Sequence, residues 1–335
     1  MDAQAPLVYI DTFSEGWRRV RRGRGFAYFT ADGKHIRALE ELERIRKLAI
    51  PPAYTDVWIC PSAQGHIQAM GRDAKGRLQY RYHPLWQERR TQEKFSRMLA
   101  FGRCLPAIRR AVEHDLALKK LELKVITAAI VKILDQTGFR IGNEQYALQN
   151  KSYGVSTLKN RHAVVKAGRL TLHFRGKSGV MQKTTITDRR IIHIIHRCQE
   201  LPGQRLFQFP DQNGQLQSVQ SEDVNSYLRS ISGENFTAKD FRTWHANVCA
   251  VQAKLDSIKE QGQNSSPQLS TAEIIKKVAK TIGNTYSVCR NFYIHPHVLR
   301  FCEQECIKHP FTNKIKKSGL NCAEKLFLKI LQYNS

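Results

Sequence analysis

The sequence predicts an α+β protein: a small β-rich domain over residues 1–90, then a mostly α-helical domain over 91–335 with a small antiparallel sheet set into it. Three observations predict this. Before residue 90, runs rich in aromatic and β-branched residues are separated by Gly and Pro turn signals. From about residue 91 apolar residues recur at helical spacing, and between 162 and 187 the texture reverts to short β-like runs broken by glycines.

Residues 18–24 (RRVRRGR) form a basic burst, readable as a solvated loop or as a polyanion contact, before a strand over Phe26–Thr30 that ends at Asp32-Gly33. An amphipathic helix is expected over about 38–48, stopped by Pro51-Pro52. VWICP and HIQAMGRD then read as strands, with a turn near Lys75-Gly76. In the second domain helices are expected over 91–101, 105–118 and 122–136, the last with Ile126, Ile130, Ile133 and Leu134 on one face and Gly138 as its stop. Another follows at 142–150. HAVVKAG, RLTLHFRGKSG and VMQKTTIT supply the inserted sheet, after which Asp188 caps RRIIHIIHRC. Further helices are expected near 221–231, 238–258, 271–282, 285–293 and 320–333, with 259–270 (KEQGQNSSPQLS) as an internal linker. No internal repeat is present.

A chain of 335 residues, 41% of them apolar, can bury a full core and more than one domain. Its 54 Lys and Arg against 29 Asp and Glu give a formal charge of +25, which points to a polyanionic partner, with nucleic acid ahead of an anionic membrane surface. Residues 1–90 carry 16 basic and 10 acidic side chains and residues 91–335 carry 38 and 19, so the charge belongs to a folded body and not to a tail. No apolar run approaches the roughly 20 residues of a membrane span, and the N-terminus lacks a signal-peptide layout. The expectation is a cytoplasmic protein with reduced thiols. Cys302 and Cys306, with His309 nearby, have wider spacing than most zinc sites and are expected to be ordinary thiols, so no metal site is assigned.

The chemistry-bearing residues are Tyr293, nine residues beyond Asn284, and three cations in compact settings upstream: Arg140 after Gly138-Phe139, Lys177 at a hairpin tip, and Arg242 in KDFRTWH. Covalent attack on a phosphodiester needs an oxygen nucleophile, charge stabilisation at the non-bridging oxygens and a proton for the leaving oxygen. Arginine suits the second task because its fork is always charged and can bond two oxygens, and lysine suits the third. Taken singly, each of 54 basic residues is more often a solvated surface charge, and Tyr293 alone reads as an amphipathic core residue beside Val288, Cys289 and Phe292.

The segments GFRIGNE (138–144), YGVSTLKNRH (153–162), FRGKSG (174–179), KDFRTWHA (239–246) and GNTYSVCRNFYIHP (283–296) occur in order, with IPPAY (50–54) and RYHP (81–84) upstream. In these segments the chain resembles the type IB DNA topoisomerases, specifically the compact poxvirus-like enzymes and their bacterial branch. The resemblance implies that Tyr293 attacks a backbone phosphorus to give a 3′-phosphotyrosyl link and a free 5′-hydroxyl. It implies that Arg140 and Arg242 hold the non-bridging oxygens, that Lys177 protonates the leaving 5′ oxygen, and that Lys239 is an auxiliary lysine. Asn284 stands where many relatives have histidine; an amide can still donate to a phosphate oxygen but cannot act as acid or base. The expected activity is relaxation of both supercoil signs in duplex DNA, by a monomer, with no cofactor, ATP or metal. The expected arrangement is a clamp of the two domains. A tyrosine recombinase shares this chemistry, but its H-x-x-R is here Lys239-x-x-Arg242. A non-catalytic basic DNA-binding protein explains the charge but not the ordered set.

Overall fold

The computed structural model describes residues 6–11, 14–264, 267–304 and 319–332. The chain forms two compact units, Met1–Glu93 and Lys94–Ser335.

The first unit is a five-stranded antiparallel sheet in the order β2-β1-β3-β4-β5, formed by β1 (Trp17–Arg22), β2 (Gly25–Phe29), β3 (Thr55–Ile59), β4 (Ile67–Arg72) and β5 (Leu78–Tyr82). Helix α1 (Leu39–Lys47) lies between β2 and β3 in the chain. Its Ile45 joins Val57, Ile59 and Ala69 in a small core flanked by Trp17 and Tyr28. The basic burst is therefore not a loop: Arg18 to Arg22 pair with Phe29 to Gly25. Alternation explains why a run of arginines can be a strand. Arg19 turns inward and donates to the carbonyls of Ile50, Pro51 and Tyr54, with its guanidinium 4.2 Å from the Phe26 ring centroid.

The division between units falls within α2 (Pro84–Asp115), a single helix where two were expected. Pro106 lies inside it, and the buried row Met98, Phe101, Leu105, Ile108 and Val112 runs through the proline, so packing outweighs the lost hydrogen bond. Helix α3 (Leu123–Thr137) is the buried centre of the second unit and ends at Gly138, whose φ of 61° is the left-handed cap the sequence signals. After α4 (Glu144–Asn150) comes the antiparallel sheet β6 (Ala163–Lys166), β7 (Arg169–Arg175) and β8 (Met181–Ile186), in the order β6-β7-β8. Asp188 caps α5 (Arg189–Glu200) by accepting from the Arg190 amide. A hairpin of β9 (Gln208–Pro210) and β10 (Leu216–Ser218), absent from the expectation, precedes α6 (Ser221–Ser232).

Helix α7 (Ala238–Asn264) continues six residues past the expected end and takes in the first half of the expected linker. Arg242 sits in its second turn. α8 (Thr271–Ile282) and α9 (Tyr286–Phe292) fall where expected. α10 (Pro296–Glu303), with His295 as cap and proline at its first position, was not foreseen, and α11 (Cys322–Gln332) closes the described chain. One core of Phe101, Ile130, Phe241, Trp244 and Phe327 with their neighbours unites these helices. Among the described residues no helix is long and apolar enough to cross a membrane. No group of three metal-ligating side chains occurs among them either, and Cys306 and His309 lie outside the described residues.

Candidate active site

Five of the sequence-derived candidates meet in the second unit. Arg140, Lys177, Lys239, Arg242 and Tyr293 line one cleft, and Asn284 stands behind it in contact with Arg140.

Tyr293 is the residue that ends α9, at φ −121° and ψ −32°, where the chain turns toward α10. Thr285 caps the start of α9 through its hydroxyl, and the Tyr293 amide still donates to the Cys289 carbonyl at 3.0 Å. Ile294, 1% exposed, plugs the core on one side and leaves the half-buried phenol facing the cleft.

Arg242 is 4% exposed on α7. Its Nη1 donates to the Gly138 carbonyl at 2.8 Å and its Nη2 to the Ile282 carbonyl, so the cation sits at the C-terminal ends of α3 and α8, where helix dipoles favour positive charge. Its Nε is buried without a partner. The guanidinium carbon lies 5.3 Å from the Tyr293 ring centroid.

Arg140 lies in the loop after α3. That loop is held by backbone bonds from Val155 and Ser156 to the carbonyls of Arg140 and Ile141, at 2.9 and 2.7 Å. The approach requires glycine, since a Cβ on Gly154 would lie 2.4 Å from the Gly142 nitrogen. Arg140 Nη2 donates to Asn284 Oδ1 at 2.9 Å, which leaves the buried Asn284 Nδ2 as a donor with no partner. Asn284 is itself placed by Gly283, the left-handed cap of α8, and by its amide bond to the Ala279 carbonyl at 2.8 Å.

Lys177 is exposed at the tip of the β7–β8 hairpin, where Ser178 at φ 62° and Gly179 at φ 80° turn the chain. Lys239, also exposed, lies three residues before Arg242 on α7.

The electrostatics of the cleft favour an ionised phenol. Burial resists ionisation of Tyr293, but the charges of Arg242 and then Arg140 outweigh it and lower its pKa from the usual phenol value. Burial and the charge of Arg242 together lower the pKa of Arg140.

Two residues of this site escaped the sequence. Asn247 is 0% exposed on α7, and its Nδ2 donates to the carbonyls of Thr243 at 2.8 Å and Tyr293 at 2.9 Å while its Oδ1 accepts from the His295 amide at 2.7 Å. It ties the backbone just after the nucleophile candidate, from the Tyr293 carbonyl to the His295 amide, to the helix that carries Arg242. Its place five residues after Arg242 was the available signal. Lys94 on α2 reaches the same cleft and holds its ammonium over the Tyr293 ring. Nothing local separates it from the other basic residues.

His295 and Trp244, close to the site in the chain, are structural. His295 caps α10, holds its ring tilted against that of Phe95 with centroids 5.0 Å apart, and is pushed down to about 4 by burial and by the neighbouring His297 and Arg300. Trp244 is 2% exposed and packs on Phe101 and Phe327.

Residues 83–316 match the family model described as "Eukaryotic DNA topoisomerase I, catalytic core", and residues 25–73 match "Bacterial DNA topoisomerase IB, N-terminal domain". The chain is 33% identical to DNA topoisomerase 1B of Acanthamoeba polyphaga mimivirus over 291 residues, which cover 85% of this chain and 87% of that protein. It is 24% identical to DNA topoisomerase 1 of rabbit fibroma virus, covering 77% and 81%, and 20% identical to DNA topoisomerase 1B of vaccinia virus (strain Copenhagen), covering 78% and 82%. A solved XerH site-specific recombinase bound to a difH substrate aligns over 57% of this chain and 49% of its own, with 14% identity and a TM-score of 0.35.

Proposed function

The chain belongs to the type IB DNA topoisomerase family, and from that membership and the cleft we propose the following reaction on duplex DNA. The phenolate oxygen of Tyr293 attacks a backbone phosphorus. A bond forms between that oxygen and phosphorus, the bond to the 5′ oxygen breaks, and Lys177 passes a proton to the departing oxygen. The product is a 3′-phosphotyrosyl link and a free 5′-hydroxyl. After the duplex has rotated about its intact strand, the hydroxyl attacks the link and the phenolate leaves. Because the phosphotyrosyl bond keeps the energy of the broken phosphodiester, the cycle needs neither nucleotide hydrolysis nor a metal, and it acts on supercoils of either sign.

The single observation that carries this reading is the convergence of Arg242 and Arg140 on Tyr293 in one cleft, with Asn284 behind Arg140, an arrangement whose charges lower the pKa of the phenol. The free donors also suit the reaction. The unpartnered Nε of Arg242 and Nδ2 of Asn284 are buried donors that a non-bridging phosphate oxygen would satisfy, and an unmet buried donor is costly until such a ligand arrives. Lys177, on an exposed hairpin tip, is free to follow the leaving oxygen, and Lys239 supplies a further cation at the rim. We expect the enzyme to act as a monomer.

The test is relaxation of negatively and positively supercoiled plasmid in EDTA without ATP, comparing wild type with Tyr293→Phe and probing for protein on DNA 3′ ends. Relaxation of both signs with a Tyr293-dependent 3′ adduct is the expected result. DNA retention without adduct would leave only a binding protein, and site-dependent joining of strands would make it a recombinase.

A further inference from the structure

Resting on that reading of Tyr293, we propose that Lys94 is a positioning residue of the reaction. Its ammonium group, held over the Tyr293 ring, stabilises the phenolate as nucleophile in cleavage and as leaving group in religation.

The geometry supports an action on the tyrosine and not on the phosphate. Lys94 Nζ lies 4.9 Å from the Tyr293 ring centroid and donates to the carbonyl of Phe292, the residue just before the nucleophile. The same ammonium lies 4.9 Å from the Phe95 ring centroid. Two aromatic faces and a carbonyl thus hold the head group, unlike those of Lys177 and Lys239, which belong to exposed residues at the rim.

The nearby carboxylate does not neutralise it. Asp240 accepts from Arg97 Nη2 at 3.1 Å, from the Thr237 amide at 2.8 Å and from the Thr237 hydroxyl at 3.1 Å. Among the described residues no carboxylate forms an ion pair with Lys94. A half-buried cation without a counter-ion is unfavourable unless something nearby becomes negative. Burial accordingly lowers its pKa, and Tyr293 and Asp240 raise it in opposition.

The energetic logic is differential. A cation on a neutral phenol ring gains the modest attraction of the ring quadrupole. When the phenol ionises, that attraction becomes one between full charges, so Lys94 favours the ionised state over the resting one, which is the condition for accelerating a step. The charged and polar groups facing Tyr293 are then Arg242 from α7, Arg140 from the loop after α3, Asn284 from the end of α8, and Lys94 from α2. Those facing Lys94 are Tyr293 and Asp240.

Two measurements on the full chain test this. The first needs no DNA: the tyrosinate absorbance of Tyr293 is titrated as the difference between a protein and its Tyr293→Phe counterpart, for wild type, Lys94→Met and Lys94→Arg. Removing the cation should move the Tyr293 midpoint up by about one pH unit, and Lys94→Arg should hold it near wild type. The second is single-turnover cleavage of a nicked duplex as a function of pH. Lys94→Met should be slowed about tenfold at neutral pH, with the deficit shrinking as pH rises through the shifted midpoint, because both proteins are then fully ionised. Religation should slow alongside cleavage, while DNA affinity and Tm stay within error. An unchanged tyrosinate midpoint, or a cleavage deficit equal at every pH, overturns the proposal. Absence of a wild-type adduct would sink the reading of Tyr293 as nucleophile, and the absorbance titration would still decide whether Lys94 controls its ionisation.

Discussion

At the residue scale, the cleft separates groups by what they are free to do. Arg242 spends two of its nitrogens on the carbonyls of Gly138 and Ile282, so it shapes the site as well as charging it. Arg140 spends one on Asn284. Arg242→Ala and Arg140→Ala should each slow single-turnover cleavage by roughly 10²–10³, the scale of losing a preorganised donor. Arg242→Ala should also lower Tm, since it strands two buried carbonyls. Near-wild-type cleavage in either variant would remove the residue from the mechanism. Lys177→Ala should be slow on ordinary DNA and recover on a substrate whose 5′ bridging oxygen is sulfur, which leaves without a proton; failure to recover would end its role as acid. Tyr293, Arg140, Lys177, Arg242 and Asn284 were legible because each lies in a distinctive local motif. Lys94 was not, because its neighbours Glu93 and Phe95 mark only an ordinary helix turn and its significance comes from a tyrosine 199 residues later in the chain.

At the scale of elements, α7 organises the site. It carries Lys239, Arg242 and Asn247, and through Asn247 it grips the backbone between α9 and α10. Asn247→Ala should lower cleavage and religation together while leaving their ratio near wild type, because the same backbone presents Tyr293 in both directions. A shift of that ratio would mean Asn247 does more than hold the chain. The C-terminal α11 is tied in by a buried network: Arg109 bridges Asp135 at 2.8 Å and Glu324 at 2.7 Å, and Trp244 donates to Glu324 at 3.3 Å. Glu324→Ala leaves Arg109 partly unpaired and should cost about 3–5 kcal/mol, read as a Tm lower by on the order of 10 °C. The errors of sequence reading also sit at this scale. α2 runs through the break expected after residue 101 and α7 into the linker expected after residue 258; in α2 the buried row Met98, Phe101, Leu105 and Ile108 continues across the gap, whereas residues 259–261 of α7 are exposed. No element was expected between 293 and 320, although Pro296, which opens α10 at its first position, was an available start signal.

At the scale of the whole molecule, the charge of +25 makes DNA binding a counterion-release process. Binding to non-specific duplex should weaken steeply between 50 and 200 mM salt, by about 10³-fold or more for six or more phosphates contacted, and a flat salt response would contradict a backbone-tracking surface. Stability should fail on the acid side. Burial disfavours the ionised forms of Asp115 and Glu324, but His114, Tyr227 and Lys124 around the first and Arg109 around the second prevail, and both pKa values are lowered. Each carboxylate therefore contributes stability above its unfolded pKa of about 4, and the contribution disappears as pH falls through the lower folded value. Thermal melts should be level through neutral pH and drop below about pH 4; a Tm that rises there would refute this assignment. The sequence by itself determined the fold class, the polyanionic partner and the ordered set of Tyr293 with its cations, because these reside in periodicity, composition and short motifs. Only the tertiary structure decided that the ring of Tyr293 lies under Lys94, that Asn247 holds its backbone, and that the nitrogens of Arg242 and Asn284 are buried with donors to spare. Those are relations between helices far apart in the chain, and burial, which sets what a charge or an unmet donor costs, exists only once the helices have packed.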